Sequence, residues 1–245
     1  MKVFTKTDVG MVRSMNQDSF LISENQDNGL NLYILADGMG GYKGGEIASK
    51  VAVKAVSKYI TEKFDEISKD KQSILDLLEE SIEFANSAIY EESEEDEELQ
   101  DMGTTLEVLL IYKRKIYIGH IGDSRIYRIR KNRMKKITTD HSYVEKLIQD
   151  GEITREESYH HPKKNLLMKA LGTDETVEPD LIYTVLNKND ILIICSDGLT
   201  NMVREEKIFD IVKENNSDDV TNVLIDEANN AGGLDNITVI VIDNR

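Results

Sequence analysis

One construction recurs along this chain and constrains its fold more than any other feature: an apolar run that ends in an aspartate beside glycine. Within residues 31–41, Leu32-Tyr33-Ile34-Leu35-Ala36 leads to Asp37 and then to the glycine-dense Gly38-Met39-Gly40-Gly41. A short, β-prone apolar run bounded by turn residues predicts a buried strand, and the glycines permit a closely approaching backbone. Residues 115–121 repeat the pattern into Gly122-Asp123-Ser124-Arg125, and residues 190–195 repeat it into Ser196-Asp197-Gly198. In a fourth copy the order is reversed, with Gly232-Gly233-Leu234-Asp235-Asn236 preceding the apolar run 237–242. A fifth acid, Asp18, stands just before Ser19-Phe20-Leu21-Ile22.

If these strand ends converge, several carboxylates meet, and protons or cations must neutralise their repulsion. Cations are the simpler resolution. The candidate ligands are all oxygen, the Gly38 carbonyl included, with no Cys or His among them. That donor set favours Mg²⁺ or Mn²⁺ over zinc or copper. Calcium fits less well, because calcium loops gather their ligands within about 12 residues and these acids are spread along the whole sequence.

A length of 245 residues without a linker-like stretch predicts one domain, residues 1–245. The formal charge of −16 argues against nucleic acid as a partner, since phosphates call for a basic footprint. No apolar run approaches the roughly 18 residues of a membrane span. Met1-Lys2-Val3-Phe4 leads into a strand pattern rather than a signal peptide, so the expected location is the cytoplasm. The single cysteine, Cys195, lies within an apolar strand pattern and reads as a small buried hydrophobe in a reducing compartment.

Helical periodicity marks residues 46–64, through Ile47, Val51, Ala55, Tyr59 and Phe64, and residues 72–92, through Leu75, Leu78, Ile82 and Ile89. The acidic residues 91–101 read as a solvated helix end and loop. Residues 104–138 predict a β-meander turning at Lys113-Arg114 and Lys131-Asn132, and its cations suit an exposed sheet edge. Ser142 with Glu145 and Thr154 with Glu157 form two capping boxes around Gly151. Residues 181–186 and 190–195 predict a hairpin around Asn187-Lys188-Asn189. Ile208, Ile211 and Val212 mark one later helix, and Ser217 is placed to cap another through Val220, Val223, Leu224 and Ala228. Strands and helices in blocks predict antiparallel sheets with helices outside, an α+β fold.

The phrases Asp8-Val9-Gly10, Arg13-Ser14-Met15-Asn16-Gln17-Asp18, Ala36-Asp37-Gly38-Met39-Gly40-Gly41 and Gly44-Gly45-Glu46 are followed by Met102-Gly103-Thr104-Thr105 and Gly122-Asp123-Ser124-Arg125. Asp140-His141-Ser142, Cys195-Ser196-Asp197-Gly198-Leu199 and Asp235-Asn236-Ile237-Thr238 complete the set. In this order the sequence resembles, over essentially its whole length, a type 2C metal-dependent serine/threonine protein phosphatase of the compact bacterial kind.

The resemblance implies a four-layer αββα sandwich of two stacked antiparallel sheets with helices on both outer faces. It also implies a flap insert at about residues 143–168, where Tyr159, His160, His161, Lys163 and Lys164 would meet substrate. The implied activity is hydrolysis of phosphoserine and phosphothreonine in proteins by a metal-activated bridging water, opposing a bacterial serine/threonine kinase; a monomer is the default expectation. Asp37 would bridge two Mn²⁺ or Mg²⁺ ions, the Gly38 carbonyl would bind one, Asp197 and Asp235 would complete the other, and Asp18 would act through metal-bound water. Asp123 with Asp197 matches the place of a third, weaker metal, and Arg13 matches a phosphate clamp, whose guanidinium offers a bidentate fork. Met39 and Tyr42 stand where relatives carry histidine, which leaves metal-bound water, Tyr42 and His141 as candidate general acids. Two other functions fit the same phrases: a non-enzymatic phosphoprotein-binding regulator, and a phosphatase dedicated to an anti-sigma-factor antagonist.

Overall fold

The computed structural model describes residues 1–25, 27–215 and 219–245, and the side chains of Gly41 and Tyr42 also lie outside the described residues. The chain opens with strands β1 (Lys2–Asp8), β2 (Asp18–Glu24) and β3 (Asn31–Met39), then helices α1 (Gly41–Lys63) and α2 (Lys71–Glu95). Strands β4 (Gly103–Thr104), β5 (Leu106–Tyr112), β6 (Lys115–Ile121), β7 (Arg125–Arg130) and β8 (Arg133–Lys136) follow, with short helices α3 (Tyr143–Gln149) and α4 (Arg155–Ser158) after them. The remaining elements are β9 (Asp180–Val185), β10 (Ile191–Cys195), α5 (Asp197–Thr200), α6 (Glu205–Glu214), α7 (Val220–Asn230) and β11 (Ile237–Asp243). Among the described residues no helix is long and apolar enough to cross a membrane.

Two compact units emerge, each built on one antiparallel sheet. The fold class is α+β, as the blocks of strands and helices predict. One unit comprises Gln17–Ile121 and Ala170–Lys188 and carries the order β2-β3-β5-β6-β9, with β4 paired to β3. Alternate residues Leu32, Ile34, Ala36, Val108 and Leu110 pack against Ala48, Ala52, Val56 and Ile60 of α1 and Ile74, Leu78 and Ile82 of α2. The period of two on the strands meets the period of about four on the helices, and the alanines of α1 let it sit close to the sheet. Each fully buried Leu or Ile contributes about 1.5–3 kcal/mol, so this face anchors the unit. Asp70 starts α2 by accepting from the backbone N–H groups of Gln72 and Ser73 at 2.9 and 3.1 Å.

The other unit, Met1–Asn16 with Gly122–Lys169 and Asn189–Arg245, carries the order β1-β11-β10-β7-β8. Its core joins Tyr127, Ile129, Ile193, Cys195, Val239 and Val241 of the sheet to Leu199, Ile208, Ile211, Leu224 and Ala228 of the helices. Cys195 is a buried thiol, as its apolar setting predicts.

The structure departs from the sequence-based expectations at several places. Helix α1 begins at Gly41 rather than residue 46, so the glycines Gly44 and Gly45 are helical. The reason is proximity: a Cβ on Gly45 would meet the Gly38 carbonyl carbon at 2.7 Å and Gln17 Nε2 at 2.8 Å. Close backbone approach selects glycine there against its poor helix propensity. The turns at Lys113-Arg114 and Lys131-Asn132 are as expected, with φ of 47° and 63° in the first and 47° and 61° in the second. They close two hairpins in different sheets, however, because the chain leaves the first sheet at Gly122, whose φ is 106°. Residues 181–186 and 190–195 are not a hairpin: β9 pairs with β6, and β10 lies between β7 and β11. Apolar β10 is buried along its length and takes a central position with a partner on each side.

Thr154 and Glu157 form the full capping box. Ser142 does cap α3, accepting from the Glu145 N–H at 3.3 Å, but the Glu145 carboxylate bonds Arg155 at 2.6 Å instead of reaching back. The acidic stretch continues α2 to Glu95 and then makes a 3₁₀ turn at Glu97–Leu99. The proposed cap Ser217 lies outside the described residues.

Candidate metal and phosphate site

The first group of predicted ligands sits at one end of the β2–β3 pair. Asp18, the first residue of β2, stands directly opposite Asp37 in the antiparallel register. Residues opposed in this way have Cβ atoms about 4.5–5.5 Å apart, and like charges placed so are destabilising. A divalent cation relieves that repulsion, and the donor set is all oxygen. The next residue, Gly38, has no room for a side chain, since a Cβ would collide with the Gly45 carbonyl and meet the Gln17 carbonyl at 2.8 Å. The residues present therefore fit a hard metal ion.

Asp37 is held by its backbone. Its N–H donates to Thr105 Oγ1 at 3.0 Å, and its carbonyl accepts from the Thr105 N–H and from Thr104 Oγ1, each at 2.9 Å. Thr104 and Thr105 are buried, and sequence reasoning gave them no role. The signal available was a pair of β-branched hydroxyl residues after Gly103, where β4 comes alongside β3.

The second group is carried by the other unit. Asp197 opens α5 at the end of β10, and Asn201 Nδ2 donates to its Oδ2 at 2.8 Å. Asp123 follows Gly122 and, with Arg125, Asp140, Asp197 and Asn201, lines a small polar cavity of about 40 Å³. Burial pushes the Asp123 carboxyl well above its ordinary range, the Asp197 and Asp140 carboxylates push it the same way, and Arg125 opposes them. Repulsion between Asp123 and Asp197 is again the electrostatic mark of a place for a cation. Asp140 contrasts with Asp123. Burial raises its pKa too, but Arg125 and Lys136 outweigh burial and hold it below the usual carboxylate range. Arg125 donates to it from Nε and Nη2 at 3.0 and 2.7 Å.

Asp235 precedes β11 and is 33% exposed; its Oδ2 accepts from Arg13 Nη2 at 2.7 Å. The predicted phosphate clamp thus rests against a predicted metal ligand. The segment bearing Arg13 is fastened by Asn236, whose Nδ2 donates to the carbonyls of Val9 and Met15, each at 2.9 Å. Asn236 is a third residue that sequence reasoning left without a role. His141 Nδ1 accepts from the Gly122 N–H at 3.2 Å, which leaves the proton of the neutral ring on Nε2. Tyr42, the other side-chain candidate for general acid, lies outside the described residues.

In the predicted flap, Arg204 stacks on the Tyr159 ring at 3.6 Å, His161 Nδ1 accepts from the Lys163 N–H at 3.1 Å, and Lys164 lines the small cavity beside Asp123. Among the described residues no three His, Cys, Asp or Glu side chains are grouped as ligands of one ion. Each set of acids therefore carries its own argument.

Comparison with known proteins agrees with this chemistry. The family model described as protein phosphatase 2C matches residues 12–218. The serine/threonine phosphatase stp of Listeria welshimeri is 38% identical, over 97% of this chain and 94% of the relative. The solved S. agalactiae serine/threonine phosphatase superposes with a TM-score of 0.91 at 39% identity, over 100% of this chain and 99% of that one. The catalytic domain of the serine/threonine protein phosphatase PstP, solved in complex with two manganese ions, superposes with a TM-score of 0.86 at 34% identity, over 99% of this chain and 97% of that one. With matching phrases, fold and relatives all in agreement, the chain belongs to the protein phosphatase 2C family.

Proposed function

We propose that this chain hydrolyses phosphoserine and phosphothreonine in proteins with two Mn²⁺ or Mg²⁺ ions held by Asp18, Asp37, the Gly38 carbonyl, Asp197 and Asp235, and a third, weaker ion held by Asp123 with Asp197. The observation that carries the reading is the placement of Asp18 opposite Asp37, an arrangement that costs energy until a cation lies between the two charges. PstP, similar over the whole chain, binds two manganese ions. When bound, such ions lower the pKa of a water and neutralise the charge of a phosphate dianion.

The chain's own residues then divide the work. Thr104 and Thr105 fix the Asp37 backbone, so its carboxylate is presented without a search over conformations. Arg13 offers a planar fork of donors, and an incoming phosphate competes with Asp235 for it. Asn236 keeps the Arg13 segment at the Asp235 strand end.

In this reading residues 1–245 act as one catalytic domain with a flap at about 143–168, matched by the family model over residues 12–218. The natural counterpart is a serine/threonine protein kinase. The lone buried thiol of Cys195 suits a monomer in the reducing cytoplasm.

The test is hydrolysis of a phosphothreonine and a phosphotyrosine peptide with Mn²⁺ and with chelator. Turnover of the phosphothreonine peptide that depends on Mn²⁺ supports the proposal. Turnover that survives chelation, or a preference for phosphotyrosine, overturns it.

A further inference from the structure

The chain has 46 acidic against 30 basic residues, yet residues 125–136 contain no acid and a dense run of Arg and Lys. Three of these cations have built-in partners. Arg125 and Lys136 bond Asp140 at 2.7 and 3.0 Å, and Arg130 bonds the fully buried Asp190 at 2.6 Å.

The β7–β8 hairpin sets Arg130 among three further cations. Its register sets Arg128 opposite Lys135 and Arg130 opposite Arg133. Strand alternation sends Tyr127, Ile129 and Met134 to the face packed on the helices and these four cations to the other face. A single lysine suffices to guard a sheet edge; here the buried Asp190 offsets the charge of Arg130 and acts on Arg128, while Lys131, Arg133 and Lys135 add exposed positive charge that an acidic segment would offset. Partial burial, and then Arg130, lower the pKa of Arg128, and the Asp190 carboxylate opposes them. Among the described residues no acid pairs with Arg133 or Lys135, both exposed. Together with Lys131 and Met134, the four cations line a groove of about 480 Å³. Strand β8 ends its sheet, so among the described residues its outer backbone edge pairs with no other strand.

We propose that the β7–β8 hairpin is a docking site for an extended acidic segment of a partner protein, laid along the open edge of β8 with carboxylates or phosphates at alternate positions meeting the cations. Backbone pairing supplies the strand geometry, and period-two side chains supply the charge match. The net charge of −16 repels a long polyanion or an anionic membrane while leaving a short acidic segment tolerable. This inference does not rest on the catalytic reading, because binding is measured directly.

The test is fluorescence anisotropy with a short labelled peptide alternating Glu and Val, its Gln-for-Glu counterpart, a single-stranded oligonucleotide and anionic vesicles. Wild type should bind the Glu peptide in a salt-sensitive manner and the Gln peptide weakly. Arg133→Glu with Lys135→Glu should weaken binding by about tenfold, and Arg133→Gln with Lys135→Gln should weaken it less. Both variants should fold as wild type by circular dichroism and keep the wild-type turnover of p-nitrophenyl phosphate. Unchanged binding in both double variants, no binding to wild type, or tighter binding of the oligonucleotide or vesicles than of the Glu peptide would overturn the proposal.

Discussion

The β2–β3 pair and the β7–β8 hairpin use one device with opposite signs. In the first, Asp18 faces Asp37; in the second, Arg128 faces Lys135 and Arg130 faces Arg133. Each opposes like charges that a ligand of opposite charge would offset, although the buried Asp190 already offsets part of the cationic set. They differ in rigidity. Asp37 is pinned by Thr104 and Thr105 and followed by a glycine with no room for a side chain, whereas Arg133 and Lys135 stand exposed on a sheet edge. A pinned pair suits ions that must be held in one geometry for chemistry, and an exposed pair suits a partner that comes and goes.

The comparison breaks most readily at its acidic side. Asp37→Asn should lower turnover of a phosphothreonine peptide by about a thousandfold with the fold intact by circular dichroism. Gly38→Ala should cost about 4 kcal/mol or more in chemical denaturation, because the new methyl group would collide with the Gly45 carbonyl. If that variant melts like wild type, the tight packing that positions the acid is wrong.

Asp140 sharpens the comparison, as an acid already supplied with cations by Arg125 and Lys136. Because these hold its folded pKa below the unfolded value of about 3.9, its stabilising effect is full above that value. It is lost as pH falls through the folded pKa. Asp140→Asn should therefore cost about 3 kcal/mol near neutral pH, and the gap from wild type should narrow in acid, as read by denaturation across pH. The smallest effect belongs to the cationic side. Arg133→Glu, opposite Arg130, should raise stability by about 0.5 kcal/mol, since it turns a repulsive pair into an attractive one; a loss of stability would contradict the opposed-charge reading of the hairpin.

Much of the architecture was legible because apolar runs ending in Asp-Gly mark strands without outside help, as with Asp37 and Asp197. What was not legible depended on distant partners. Thr105 acts on Asp37 across 68 positions and Asn236 on Met15 across 221, and no local pattern reports such pairs. Strand β9 pairs with β6 rather than with its sequence neighbour β10, because burial on both sides drew β10 to the centre of its own sheet. The early start of α1 was hidden because Gly44 and Gly45 look like a turn and are glycine for close packing instead.

The most direct test of the account is calorimetric titration of Mn²⁺ into metal-free wild type and metal-free Asp37→Asn. Wild type should bind two ions tightly, the number present in the solved PstP catalytic domain, and the variant should lose at least one of them. Equal stoichiometry and equal affinity in the two proteins would contradict the account.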